Sequence, residues 1–246
     1  MKNIHQYLVL FAFLSFGIFG LFSCDSDTAT IQVEDKTNFS LKKSDVLPGN
    51  INNPYDEAGW LHTELSKAYY ETLPSDSSVS EVVAAVEKLA SSNSSFNAVM
   101  SPDYHPVSIS EVQHLLDHPI TCLGDAVANS SLTTVAQLSF LNFAGSYLLL
   151  SANEDNADVF YETITAYESF VLKALLFTET DRRILLTTTS IARYSTYEAK
   201  KKPKKNTDPD WTIFVGNITA ALEGAEYGTA EAVMKGLVTG IVQNGN

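Results

Sequence analysis

Beyond residue 53 apolar residues recur at helical spacing, and no sustained apolar/polar alternation of the kind a half-buried strand needs is found. The stretch "NNPYDEAGWLHTELSKAYYETLP" predicts a first helix: Asn53 as cap, Pro54 at the first helical position, Asp56 and Glu57 in the first turn, Pro74 as the stop. Trp60, Leu61, Leu65, Ala68, Tyr69 and Leu73 give it an apolar face. "SVSEVVAAVEKLASS" carries a capping box from Ser78 to Glu81, and "SISEVQHLLDHP" repeats it with Ser108 and Glu111 before Pro119 closes the helix. No proline stands between Pro119 and Pro203, and that span holds three long segments, apolar on one side or nearly all round. The pattern predicts an all-α fold, a helical bundle of about six to eight helices.

At the C-terminal end a small residue falls at every fourth position: Gly216, Ala220, Gly224, Gly228, Ala232, Gly236 and Gly240. A four-residue step overshoots a full helical turn by roughly 40°, so the stripe winds through about 240° over its length. A straight helix cannot lay all of it on one flat partner. Either it breaks near Gly224 to Gly228, or it threads between several neighbours. The polar column Thr219, Glu223, Tyr227, Glu231, Lys235, Thr239, Gln243 is expected to face water. An acidic side chain costs about 2.5 to 3.5 kcal/mol at a bilayer centre, which argues against spanning. The glycine-zipper-like stripe is read as a packing device, with residues 211–246 packed on the domain.

The N-terminus reads differently. Lys2, an uncharged apolar run from Tyr7 to Phe22, then Ser23 and Cys24 make a secretion signal, shorter than a membrane-spanning helix needs. "LFSC" resembles the lipobox of bacterial lipoproteins. That resemblance implies cleavage before Cys24 and its acylation with palmitate-class chains, hence a lipid-anchored protein of the outer membrane, on its periplasmic or cell-surface face. "CDSD" resembles the acidic export signals of surface lipoproteins. Removal of the signal peptide, 1–23, leaves 223 residues with 15 basic against 29 acidic side chains, a poor balance for nucleic acid. Residues 24–52 are polar and aperiodic and are read as a flexible tether. A helical domain over 53–199, a basic loop over 200–210 and the C-terminal segment 211–246 complete the expected organisation.

The domain opening "NPYDEAGWLH" resembles the start of small, uncharacterised helical lipoproteins of Bacteroidota-type bacteria, in the positions Asn53, Pro54, Tyr55, Asp56, Gly59 and His62. The resemblance covers only this opening and the lipobox, and it implies no activity.

Candidate chemistry is sparse. His114, His118 and Cys122 stand four apart, with Asp117 beside them and His105 upstream, a set that could ligate zinc if a helix ran through it. Pro119 interrupts that helix. Cys122 and His118 could also be neighbours as nucleophile and base, but no strained elbow or oxyanion hole accompanies them. If Cys24 is acylated, Cys122 has no intramolecular partner and is expected as a buried free thiol. Arg193 lies among Ile191, Ala192 and Tyr194, so an inward arginine paired with Glu162, Glu168 or Asp181 is expected. Lys200, Lys201, Lys202, Lys204 and Lys205 surround Pro203 and are read as an exposed loop, with anionic lipid or phosphate as the functional contact to weigh. No phosphate, dinucleotide or calcium motif occurs, so no cofactor is expected and no enzyme. The leading expectation is a membrane-anchored binding or interaction module, with the bilayer through acylated Cys24 and a protein as partners. The alternatives are a membrane-active, toxin-like protein using the C-terminal helix, and a metal-dependent or hydrolytic enzyme at His114, His118 and Cys122.

Overall fold

The computed structural model describes residues 48–72, 78–201 and 210–245. The signal peptide, Cys24, most of the expected tether and Lys202, Lys204 and Lys205 lie outside them. Among the described residues the fold is all-α, as the periodicity predicts, with no strand. Ten helices follow one another: α1 Glu57–Thr72, α2 Val79–Ser91, α3 Ser94–Val99, α4 Ile109–Asp117, α5 Pro119–Asn129, α6 Thr134–Ser151, α7 Ala157–Lys173, α8 Glu179–Lys201, α9 Asp210–Ala225 and α10 Thr229–Gly245. The expected number was smaller. The C-terminal segment divides in two, and the short α3 and α5 start on their own signals: Asn93 accepts from the Phe96 amide at 2.9 Å, and Pro119 opens α5.

Helix starts follow the capping residues, with one informative exception. At Ser78 both halves of the box are made: the Glu81 amide reaches the Ser78 hydroxyl and the Ser78 amide reaches the Glu81 carboxylate, at 3.4 and 2.8 Å. At Ser108 only the hydroxyl cap forms, because the Glu111 carboxylate turns to Lys235 on α10, 2.7 Å away. Asp181 serves two helices at once. It accepts from the amide and hydroxyl of Thr178 at the start of α8, and from those of Thr133 at the start of α6, at 2.8 to 3.0 Å. Burial alone would raise its carboxyl pKa, but these bonds outweigh it and hold it below the ordinary value.

The first helix starts later than its sequence suggests. Residues 53–56 form a turn and α1 begins at Glu57. Asn53 spends its side chain on that turn and on distant partners: Oδ1 accepts from the Tyr55 amide at 2.8 Å, while Nδ2 donates to Glu168 and to the Leu186 carbonyl. The tether also ends earlier than expected, since Pro48 and Asn50 are buried against the fold. At the other boundary α8 runs on to Lys201, into the expected basic loop.

At the centre, α9 and α10 pack against each other as a helical hairpin, contacted by α1, α2, α3, α4, α5, α6 and α8. The break falls at 226–228, where the Tyr227 and Gly228 amides return to the Gly224 carbonyl. Glycines permit the approach. A Cβ on Gly224 would lie 2.4 Å from the Glu231 carbonyl oxygen, and one on Gly240 would lie 2.2 Å from Asn217 Oδ1. Most of the polar column does not face water, contrary to its sequence reading, and only Tyr227 in it is exposed. Thr219, Glu231, Thr239 and Gln243 are buried, and Lys235 bridges Glu111 and Glu223. With α1, α2 and α4 all packed on α10, little of its circumference is left to solvent.

Candidate functional site

Three places in the fold bear on function. The first is the buried arginine. Arg193 on α8 is fully enclosed, as is Glu168 on α7, and Arg193 Nε and Nη2 both reach that carboxylate at 3.3 Å. The guanidinium also donates to Asp56 and to the Pro48 carbonyl. Asn50 and Asn53 donate to the two oxygens of Glu168 at 2.6 and 2.9 Å. The Tyr194 hydroxyl donates to Asp56 at 3.1 Å, and the Tyr161 hydroxyl to the Gly49 carbonyl at 3.0 Å. Burial raises the Glu168 pKa, partly offset by Arg193 and the two asparagines. All these partners come from the protein itself. The cluster ties the strap 48–56 to α7 and α8, and is a structural knot.

The opening motif belongs to the same knot. The Gly59 amide donates to Ser190 Oγ at 3.0 Å, and Ser190 Oγ donates to the Asp56 carbonyl at 2.9 Å. A Cβ on Gly59 would lie 2.3 Å from the Tyr194 ring, so α1 and α8 meet almost backbone to backbone. His62 is buried with Nε2 unpartnered, and burial lowers its pKa to about 4. Asn53, Asp56, Gly59 and His62 thus serve docking and core packing.

The second place is the expected metal set. His114 and His118 do meet, with ring centroids 4.9 Å apart. Cys122 does not join them as a ligand: its thiol donates to the His114 carbonyl oxygen at 3.8 Å and is buried with Leu115 and Ala220. It is free, and burial, then Glu223 and Asp125, push its pKa up, so the thiolate a metal or a nucleophile needs is disfavoured. His105 lies against Tyr227 instead. Among the described residues no group of three or more His, Cys, Asp or Glu could hold a metal ion. The break between α4 and α5 at His118 explains the failure, since it turns Cys122 inward.

The expected exposed lysines are corrected at Lys200. Its ammonium lies 4.8 Å from the Phe160 ring centroid and donates to the Glu154 carbonyl and to Asp155, leaving the side chain only 6% exposed. It anchors the end of α8 to the start of α7.

The third place carried no site expectation. α6 holds no charged residue over its 18 positions and is apolar on nearly every side. Ala136, Phe140, Phe143, Ala144 and Tyr147 face the core, yet Val135, Leu138, Leu141 and Leu149 remain exposed on the outer side. Ser139, Asn142 and Ser146 line a shallow groove with Tyr167 and Phe170 of α7. Asp181 draws the α7–α8 turn beside the start of α6, and in that turn Leu175 and Leu176 are 95% and 76% exposed. The sequence signal was available: a long helix without charge whose apolar residues exceed what one face can bury.

Comparison of the chain with protein-family models, with curated proteins and with solved structures gives no match.

Proposed function

We propose that the protein is a lipid-anchored interaction module that presents the outer face of α6 and the α7–α8 turn to an apolar protein surface. One observation carries the reading: Val135, Leu138 and Leu141 stand exposed on α6, while Phe170 stands exposed near the end of α7 and Leu175 and Leu176 in the turn that Asp181 holds beside the start of α6. Exposed apolar surface of this extent, rimmed by Ser139, Asn142 and Ser146, is the mark of a protein contact. Acylation at Cys24 would hold the domain at the outer membrane, and the polar residues between Cys24 and Pro48 would give it reach. The test is a photo-crosslinking residue at Leu138 or Leu176 in cells. A discrete protein adduct there, absent from the same probe at Ser94 on α3 and weakened by Leu175→Asp, supports the reading. Equal or no adducts at all positions overturn it.

A second reading, membrane activity through the α9–α10 hairpin, is favoured by one feature. Asn217 Oδ1, Thr219 Oγ1, Thr239 Oγ1 and Gln243 Oε1 are buried without hydrogen-bond partners, a cost that release of the hairpin would relieve. Against it, no helix among the described residues is long and apolar enough to cross a membrane. Dye release from vesicles by the full-length protein would favour this reading, and intact vesicles would discard it.

A further inference from the structure

We infer that the occupant of the α6 face is a second copy of this chain, its α6 running antiparallel across a two-fold axis at Asn142. The inference rests on the interaction-module reading and names its partner. The sequence of the face is self-complementary about that residue. With Asn142 on the axis, Val135 of one copy meets Leu149 of the other, and Leu138 meets Ser146 beside Gly145. One pair sets two apolar side chains against each other, and the other sets a large side chain against a small one. A Cβ placed on Gly145 would find nothing within 4 Å, so a partner's leucine has open space to enter. Asn142 carries both donors and an acceptor in one amide, and two such amides across a dyad can satisfy each other.

Charge selects this face. The chain carries a formal −13, so most pairings of two copies bring like charges together. α6 is uncharged throughout, and among the described helices only the six-residue α3 shares that property. Two copies meeting along α6 oppose no charge on it. Area does not stand in the way: covering Val135, Leu138, Leu141, Leu149, Phe170, Leu175 and Leu176 completely would bury at most on the order of 800 Å² per copy, about one side of a standard interface. A lipid surface suits the face less well, because α6 lacks the Lys, Arg and Trp with which interfacial helices engage headgroups.

The experiment uses the full-length lipoprotein in its native membrane, in a Cys122→Ala background. Asn142→Cys places a thiol on the proposed axis, and Ser94→Cys on α3 serves as control. Mild oxidation should give a disulfide-linked dimer at least tenfold faster for Asn142→Cys than for Ser94→Cys. Adding Leu138→Lys should abolish that advantage while circular dichroism remains helical. Equal rates at both positions would reduce the pairing to random collision and overturn it. If no dimer forms but a photo-crosslinker at Leu138 yields a discrete adduct with another protein, self-pairing is overturned and the interaction-module reading stands. If neither forms, both fail.

Discussion

Arg193 and Glu168 form an ion pair from which solvent is wholly excluded, yet the strap that completes it arrives from a part of the chain more than a hundred residues earlier. An enclosed pair of this kind stabilises little relative to apolar residues of the same shape, but removing one partner strands the other charge. Glu168→Ala should therefore destabilise the fold by about 3 to 5 kcal/mol in urea unfolding. Arg193→Lys should fare almost as badly, because a single ammonium cannot reach Pro48, Asp56 and Glu168 in the way a forked guanidinium does. A loss below about 1 kcal/mol for both would mean that the strap is held by something else.

His62 supplies a pH dependence of definite sign. Burial lowers its pKa from 6.5 to about 4, so in the fold it stays neutral where the unfolded chain would already be protonated. The unfolded state then binds more protons between those two values, and stability should fall as pH drops from 6.5 towards 4, by up to about 3 kcal/mol. Above 6.5 the effect is absent. Glu168, with its raised pKa, works in the opposite sense, so the measurement is the difference between the native chain and His62→Gln. A difference in unfolding free energy that does not change across this window contradicts the assignment.

How much of this was readable beforehand depended on the range of the interaction. Ser78 and Asn53 announce chain turns through bonds to residues a few positions away, and Pro119 through its fixed φ at the first helical position, so helix class and many helix ends could be read directly. Arg193 could be recognised as inward-facing from its apolar neighbours, and Glu168 stood among its expected acids. Asp56 and Pro48 could not be identified as partners, because local periodicity carries no information on pairings over such separations. The polar column across α9 and α10 failed for a related reason: periodicity marks a polar side, but not how many helices surround it. Glu111 shows the same competition, leaving its local cap for Lys235. On α6 the absence of charge was visible, whereas the exposure of Leu138 and Leu149 depends on which neighbours are missing.

Anchoring is a proposal with a direct test. If Cys24 is the acylated residue, Cys24→Ser should abolish metabolic labelling by a fatty-acid analogue and leave an unprocessed or released protein. Labelling that persists in the variant would remove the lipid anchor from the proposed function.

The glycines of the central hairpin can be separated by what surrounds them. At Gly224 a methyl group would sit 2.4 Å from the Glu231 carbonyl oxygen and 2.6 Å from the Ala232 Cα, both backbone atoms that cannot swing aside. Gly224→Ala must therefore push α9 and α10 apart, at a cost of about 1 to 3 kcal/mol despite alanine's better helix propensity. Gly124, inside α5, finds nothing within 4 Å of the same methyl group, and Gly124→Ala should instead stabilise by about 0.5 to 1 kcal/mol. Glu223→Leu, next to Gly224 in sequence, removes one of the two carboxylates on Lys235 but leaves Glu111 in place, so its cost should stay near or below 1 kcal/mol. Thermal unfolding of the three variants ranks them. If Gly224→Ala melts at the native temperature, α9 and α10 are not in backbone contact at this point, and the hairpin is packed more loosely than the structure has it.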